Sequence, residues 1–330
     1  MRIFCCVVLL FFSCLAKAQD KFAPLDQWLK NNSAKLGGRA VLLIYKDGKI
    51  VYNRSHNDIK LRSRALDEHT QQPIASCSKW LSAALVMTFV DEGKLKVEDS
   101  IGKFLPVMSL HGKGAITIGQ CLSHLTGIKQ TGLGEGEGRV GSGARLNKWA
   151  SMDAAIDSIA NMPMEGAPGK TFHYGNAGLQ IAAAVIEKIS GRRFEILFQE
   201  RIARPCNMKN TTFGNGVPLA AGGARGTAMD YLHFLQMILH KGVYNGKRVL
   251  SENSIAMMQV NYAKDSRVVY SPAAGAGWGY GSGEWEKGKE KPVMMCEMLW
   301  SDSDDATTLV ASGSGSRRTE LSGLRLVYRT

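Results

Sequence analysis

The sequence predicts an α/β (α+β) fold: an antiparallel sheet domain built from both termini, with flanking helices and an inserted, mainly helical domain. Three observations point there. Strand-like segments gather near the two ends, helical patterns fill the middle, and one long, almost wholly apolar helix stands among them. The partition reads 1–18 as a leader, about 19–65 and 260–330 as sheet, and about 66–259 as the helical part. The roughly 310 residues after the leader can hold one large domain or two intertwined ones.

The leader has a short basic start at Arg2, an apolar run from Ile3 to Leu15, and the small-x-small triplet Ala16-Lys17-Ala18 ahead of Gln19. The run is too short to span a bilayer, so cleavage after Ala18 and export to a periplasmic or secreted location are expected, with no transmembrane segment left. A lipoprotein ending at Cys14 is the alternative, though Phe11-Phe12-Ser13 is a poor context for lipid attachment. Losing Arg2 and Lys17 reduces the formal charge of +12 to about +10. The remaining basic residues are scattered rather than blocked, which argues against nucleic-acid binding, and the chain is read as a monomer.

Leu25 to Leu36 has an amphipathic helical pattern. Ala40 to Tyr45 and Ile50 to Tyr52 flank Asp47-Gly48, the signature of a tight hairpin. Further helices are expected over 178–190, 194–203, 227–241 and 251–260, the first two separated by Gly191.

The central stretch runs from Ser76 to Val90 between Pro73 and Gly93, a breaker at each end. From Trp80 onward it is apolar on nearly every face, as in a helix buried all round. Ser76 and Lys79 stand three apart at its first turn, so their side chains share one side of the helix. A serine hydroxyl needs a base to become nucleophilic, and a lysine withdrawn from water loses its proton more readily. Ser-x-x-Lys is also a short pattern that arises by chance. Ser100-Ile-Gly-Lys103 matches it too, and there a mere turn is expected.

Tyr174-Gly175-Asn176 sits on a turn leading into an apolar helix, where a phenol and an amide could enter one cleft. The bland reading is a turn with a capping asparagine. Gly136-Glu-Gly-Arg-Val-Gly141 matches a dinucleotide fingerprint, but no strand leads in and Glu135 and Glu137 would repel a pyrophosphate. It reads as a loop, and no cofactor is expected. The histidines show no metal spacing, with His233 and His240 on a helix face, and no Gly-x-Ser-x-Gly elbow occurs. Of seven cysteines, Cys77, Cys121, Cys206 and Cys296 outlast the leader; they form no C-x-x-C pair, and zinc is not expected. Disulfides and buried free thiols both remain open for them. Cys77 is a rival nucleophile by position, but it lacks a lysine three residues on.

Taken together, Pro73 to Lys79 with its helix, Leu95 to Pro106, Leu122-Ser-His-Leu-Thr-Gly-Ile128, Pro168 to Asn176, Ile202 to Phe213, Ala221 to Asp230 and Gly277-Trp-Gly-Tyr-Gly281 resemble one family. It is the serine β-lactamase-related family of class C β-lactamases, penicillin-binding proteins and esterases, matched in order over about 25–285. The resemblance implies a β-lactamase/transpeptidase-like fold and an acyl-enzyme mechanism on a β-lactam, a D-Ala peptide or a small ester. It implies Ser76 as nucleophile, Lys79 and Tyr174 as proton carriers in an order left open, and Asn176 as a substrate partner. The family's third element, a cation followed by Ser or Thr and Gly on a strand edging the cleft, matches only Ala311-Ser312-Gly313-Ser314, which lacks the cation. Ser312 and Ser314 are its implied substrate contacts, and a second oxyanion donor is expected near Ser314. Residues 296–320 are polar and show little strand pattern, with a further strand possible at 324–328. Two other readings therefore stand: a penicillin-binding sensor that acylates without turnover, and an inactive relative whose C-terminal strand is incomplete.

Overall fold

A computed structural model describes residues 22–36, 38–59, 65–129, 149–271, 278–282, 285–287, 294–298 and 306–312. The leader, the glycine-rich stretch at 132–143, Ser314 and the strand expected at 324–328 lie outside the described residues.

The first elements are helix α1 (Ala23–Asn31) and the hairpin of strands β1 (Arg39–Lys46) and β2 (Lys49–Asn57). Asp47 and Gly48 both take positive φ, 50° and 79°, as the tight turn between right-twisted strands requires. The helical pattern expected to reach Leu36 stops at Asn31. The Asn32 side chain donates to the Trp28 carbonyl, and the chain closes instead into a 3-10 turn over Ala34–Leu36. β1 is covered on both sides: Ala40 and Leu42 pack with Leu25 and Leu29 of α1, while Val41, Leu43 and Tyr45 enter the main core.

The sheet is completed by the other end of the chain, β11 (Met294–Met298) and β12 (Ala306–Ser312), in the order β11-β12-β1-β2. Two corrections follow. The polar 296–320 segment does supply strand, because each strand finds a ladder partner in the sheet. The sheet is also mixed rather than antiparallel: β12 runs parallel to β1, with Leu42 opposite Leu309 and Tyr45 opposite Ser312. Parallel neighbours need a long connection, and the whole helical part lies between these two strands.

The core is organised around helix α2 (Cys77–Asp91), in which every residue from Cys77 to Phe89 is buried. A helix this apolar has no wet face to turn outward, so other helices surround it. α6 (Ala177–Ser190), α7 (Phe194–Phe198) and α9 (Glu252–Met258) lie against it. Gly191 ends α6 in the left-handed conformation at φ 66°, as its position between two helical patterns predicts. The helix expected over 194–203 is α-helical only to Phe198 and then widens into a π turn over Gln199–Ala203. Helix α8 (Ala228–Leu239), capped by Thr227, covers β1 and β12. Among the described residues no helix is long and apolar enough to cross a membrane.

Candidate active site

Ser76 is the residue immediately before α2 and is exposed, although the helix behind it is not. Ala75 before it takes φ 42°, unusual for a residue with a Cβ, and the strain turns the chain sharply into the helix. Ser76 stands at the capping position but makes no side-chain cap. Its Oγ instead accepts from Lys79 Nζ at 3.1 Å.

Lys79 is only 2 % exposed. A buried ammonium needs an acceptor for each proton, and three are present: Ser76 Oγ, Asn176 Oδ1 at 3.2 Å and the Ala221 carbonyl at 3.1 Å. The ammonium also lies 4.6 Å from the centre of the Tyr174 ring. Asn176 is the N-cap of α6 by position, yet its side chain makes no cap bond. Its oxygen serves Lys79, which excludes the plain capping reading.

The segment that carries the Ala221 carbonyl is held by side chains to which the sequence pattern assigned no role. Ser82 Oγ donates to the Ala220 carbonyl at 2.6 Å, and Ser78 Oγ accepts from the Ala224 N–H at 3.0 Å. From the other side, Gln180 donates to the Pro218 carbonyl and accepts from the Ala220 N–H. The signal for these residues was a polar side chain inside an otherwise apolar helix, where burial demands a partner.

The start of α6, just after Tyr174 and Asn176, comes close to the short helix α4 (Ile118–Leu122). Gly178 makes that approach possible, since a Cβ there would collide with the Cys121 carbonyl. The structure brings together four of the expected site residues, Ser76, Lys79, Tyr174 and Asn176. Ser312 is placed differently. It ends β12, an interior strand, whereas the edge strand beside α2 is β11. The side chain of Ser312 lies outside the described residues.

The rival nucleophile is excluded by chemistry: Cys77 is disulfide-bonded. Cys121 and Cys206 are buried free thiols; burial raises the pKa of both, that of Cys206 to about 12. Ser100 and Lys103 form the expected turn, a 3-10 segment in which Lys103 pairs with Asp99 at the surface. Among the described residues no group of three His, Cys, Asp or Glu side chains could hold a metal ion. A cavity of about 570 Å³ opens elsewhere, lined by Tyr45, His240 and Tyr244 among others, and none of the four clustered residues belongs to it.

A sheet joined from both chain ends, with inserted helices and this cluster at the mouth of a buried helix, is the β-lactamase/transpeptidase-like fold. The sequence profile described as Beta-lactamase matches residues 25–291, and the chain belongs to that family. A crystal structure from Bacteroides dorei DSM 17855, with a provisional beta-lactamase description, superposes with a TM-score of 0.68 at 29% identity. It covers 80% of this chain and 79% of the other. Protein flp of Staphylococcus aureus (strain MW2) is 25% identical over 179 residues, 53% of this chain and 34% of its own length. The D-alanyl-D-alanine-carboxypeptidase/endopeptidase AmpH of Escherichia coli (strain K12) is 24% identical over 184 residues, 54% of this chain and 46% of its own. The chain thus matches between a third and three-fifths of the length of such curated relatives.

Proposed function

We propose that this protein is an exported serine hydrolase that cleaves an ester or amide through an acyl-enzyme on Ser76. The observation that carries the reading is the set of partners around Lys79. Two of its acceptors, Asn176 Oδ1 and the Ala221 carbonyl, have no proton to offer. A neutral amine at the same place keeps its two N–H bonds on them and turns its lone pair to Ser76 Oγ. Lys79 can then take the Ser76 proton as Oγ attacks the substrate carbonyl carbon. Collapse of the tetrahedral adduct breaks the C–N or C–O bond, and the leaving amine or alcohol departs with a proton relayed through Lys79 or Tyr174. Water then hydrolyses the acyl-enzyme and restores Ser76. Asn176, beside the nucleophile, is suited to hold the substrate carbonyl or amide.

Membership of the Beta-lactamase family and the likeness to AmpH favour amide-like substrates of the D-Ala peptide type. Small esters and peptide-like amides are the substrates we favour. The apolar leader with its Ala16-Lys17-Ala18 site supports a periplasmic or secreted location. Intact-mass analysis after a fluorophosphonate probe tests the chemistry: one adduct is expected, and none in Ser76→Ala. An adduct that persists in the variant rules the assignment out. Decay of a fluorescent penicillin adduct within minutes separates turnover from a sensor, in which the adduct would last.

A further inference from the structure

His124 lies deep beside this cluster, 3 % exposed, and the mechanism above gives it no part. It holds φ 60°, a left-handed conformation that few residues with a Cβ adopt. Its carbonyl accepts the His173 N–H at 3.1 Å, and its ring Nδ1 accepts the Gly175 N–H at 3.3 Å. A backbone N–H can only donate, so Nδ1 must carry the lone pair. The proton of the neutral ring therefore sits on Nε2, which donates to Tyr280 Oη at 2.9 Å. The ring also lies against Tyr174, with centres 4.6 Å apart.

One residue thus holds the N–H groups on both sides of Tyr174, while the Tyr174 N–H itself donates to the Tyr270 carbonyl of strand β8 (Arg267–Tyr270). Three successive backbone donors of the turn are fixed, and the next residue is Asn176. A turn with its N–H groups held this way keeps phenol and amide in one geometry, which matters because misplacement by about 1 Å can cost about 10²-fold in rate.

We propose that His124 is a positioning residue for acylation: as the Nε2–H tautomer anchored on Tyr280, it holds the Tyr174–Asn176 turn against Lys79. The inference rests on the serine-hydrolase reading. Neutrality is essential to it, because a second proton would occupy the Nδ1 lone pair and break the Gly175 bond. Burial holds the imidazole pKa well below its ordinary value, and the charges of Lys79 and His173 act in the same direction.

The test compares His124→Phe, which keeps an aromatic ring and loses both bonds, with His124→Asn, whose Oδ1 can again accept the Gly175 N–H and which tolerates positive φ. Acylation by the fluorophosphonate is expected to slow by about 10²-fold in His124→Phe and to recover most of that loss in His124→Asn. Tyr280→Phe, which removes only the anchor, should fall between wild type and His124→Phe. The Gly175 amide proton resonance should move in His124→Phe and return in His124→Asn. Wild-type rates in His124→Phe, or equal slowing in the Phe and Asn variants, overturn the proposal. Should His124→Phe not fold, a wild-type rate in Tyr280→Phe overturns it instead. If the wild-type protein takes no label, the hydrolase reading falls, and an unmoved Gly175 resonance in the His124 variants then overturns the positioning role as well.

Discussion

The chain contains two Ser-x-x-Lys tetrads, and the structure makes entirely different things of them. At Ser76 the serine is exposed and the lysine buried, so the ammonium is forced onto Ser76 Oγ, Asn176 Oδ1 and the Ala221 carbonyl. At Ser100 the lysine is free to solvent: its side chain is 60% exposed, and Nζ meets Asp99 Oδ1 at 3.1 Å. The same four-residue spacing gives a buried hydrogen-bonded cluster in one place and a surface ion pair in the other. What differs is the segment that follows. The first lysine opens a helix buried from Cys77 to Phe89, whereas the chain after Lys103 turns at once into the short helix α3 (Pro106–Leu110). Burial makes each missing partner costly, whereas water replaces a lost surface partner at little cost.

Removing each serine in turn should give the largest difference between the two tetrads. Ser76→Ala should lower p-nitrophenyl acetate hydrolysis to the uncatalysed rate, while Ser100→Ala should leave it unchanged. Equal rates in Ser76→Ala and wild type would put the chemistry elsewhere.

The lysines come next. Lys79→Met is expected to reduce the acylation rate by about 10²–10⁴-fold, the usual contribution of a positioned base. It also leaves Asn176 Oδ1 and the Ala221 carbonyl without their ammonium, so the melting temperature should fall. Lys103→Met loses an exposed pair and should change stability by less than about 1 kcal/mol, with acylation unaffected. A Lys79→Met variant that acylates like wild type would leave the tetrad without a base.

The smallest effect separates the two regions by pH. His124 has a folded pKa well below 6.5, so the unfolded chain takes up a proton that the folded chain refuses as pH falls through about 6.5. Its contribution is complete above that value and declines below it, by up to about 1.4 kcal/mol per pH unit. Near Ser100, the Lys96 backbone N–H holds the Asp99 carboxyl below its ordinary 3.8 against the opposing effect of burial, with the Lys103 ammonium acting in the same direction as Lys96. That contribution is present above about 3.8 and is lost only as pH falls through the lower folded value. Melting curves from pH 7 to 5 should therefore show a decline that His124→Asn reduces and Asp99→Asn does not. A decline identical in His124→Asn would mean that His124 is not the group responsible.

Much of this was legible in the order of residues. The buried helix, the hairpin turn at Asp47-Gly48 and the stop at Gly191 follow from local patterns, because burial on all faces and positive φ each have a short-range signature. Ser76 and Lys79 meet through helix geometry alone, so their pairing needed no fold to be foreseen. Local patterns say nothing about which distant backbone will satisfy a buried proton. The Ala221 carbonyl is 142 residues from Lys79, and Asn176 is 97 away. His124 stands in Leu122-Ser-His-Leu-Thr-Gly-Ile128, a segment that carries the family resemblance without a role for its histidine, and it meets Gly175 and Tyr280 only in the folded chain. The direction of β12 was equally out of reach, since strand pattern fixes which side chains face the core but not which neighbour the strand pairs with. Local sequence was enough for the buried helix and for the meeting of Ser76 with Lys79 on its first turn. Only the folded chain brings Tyr174, Asn176 and the Ala221 carbonyl to Lys79, because a buried ammonium must find acceptors wherever the packing places them.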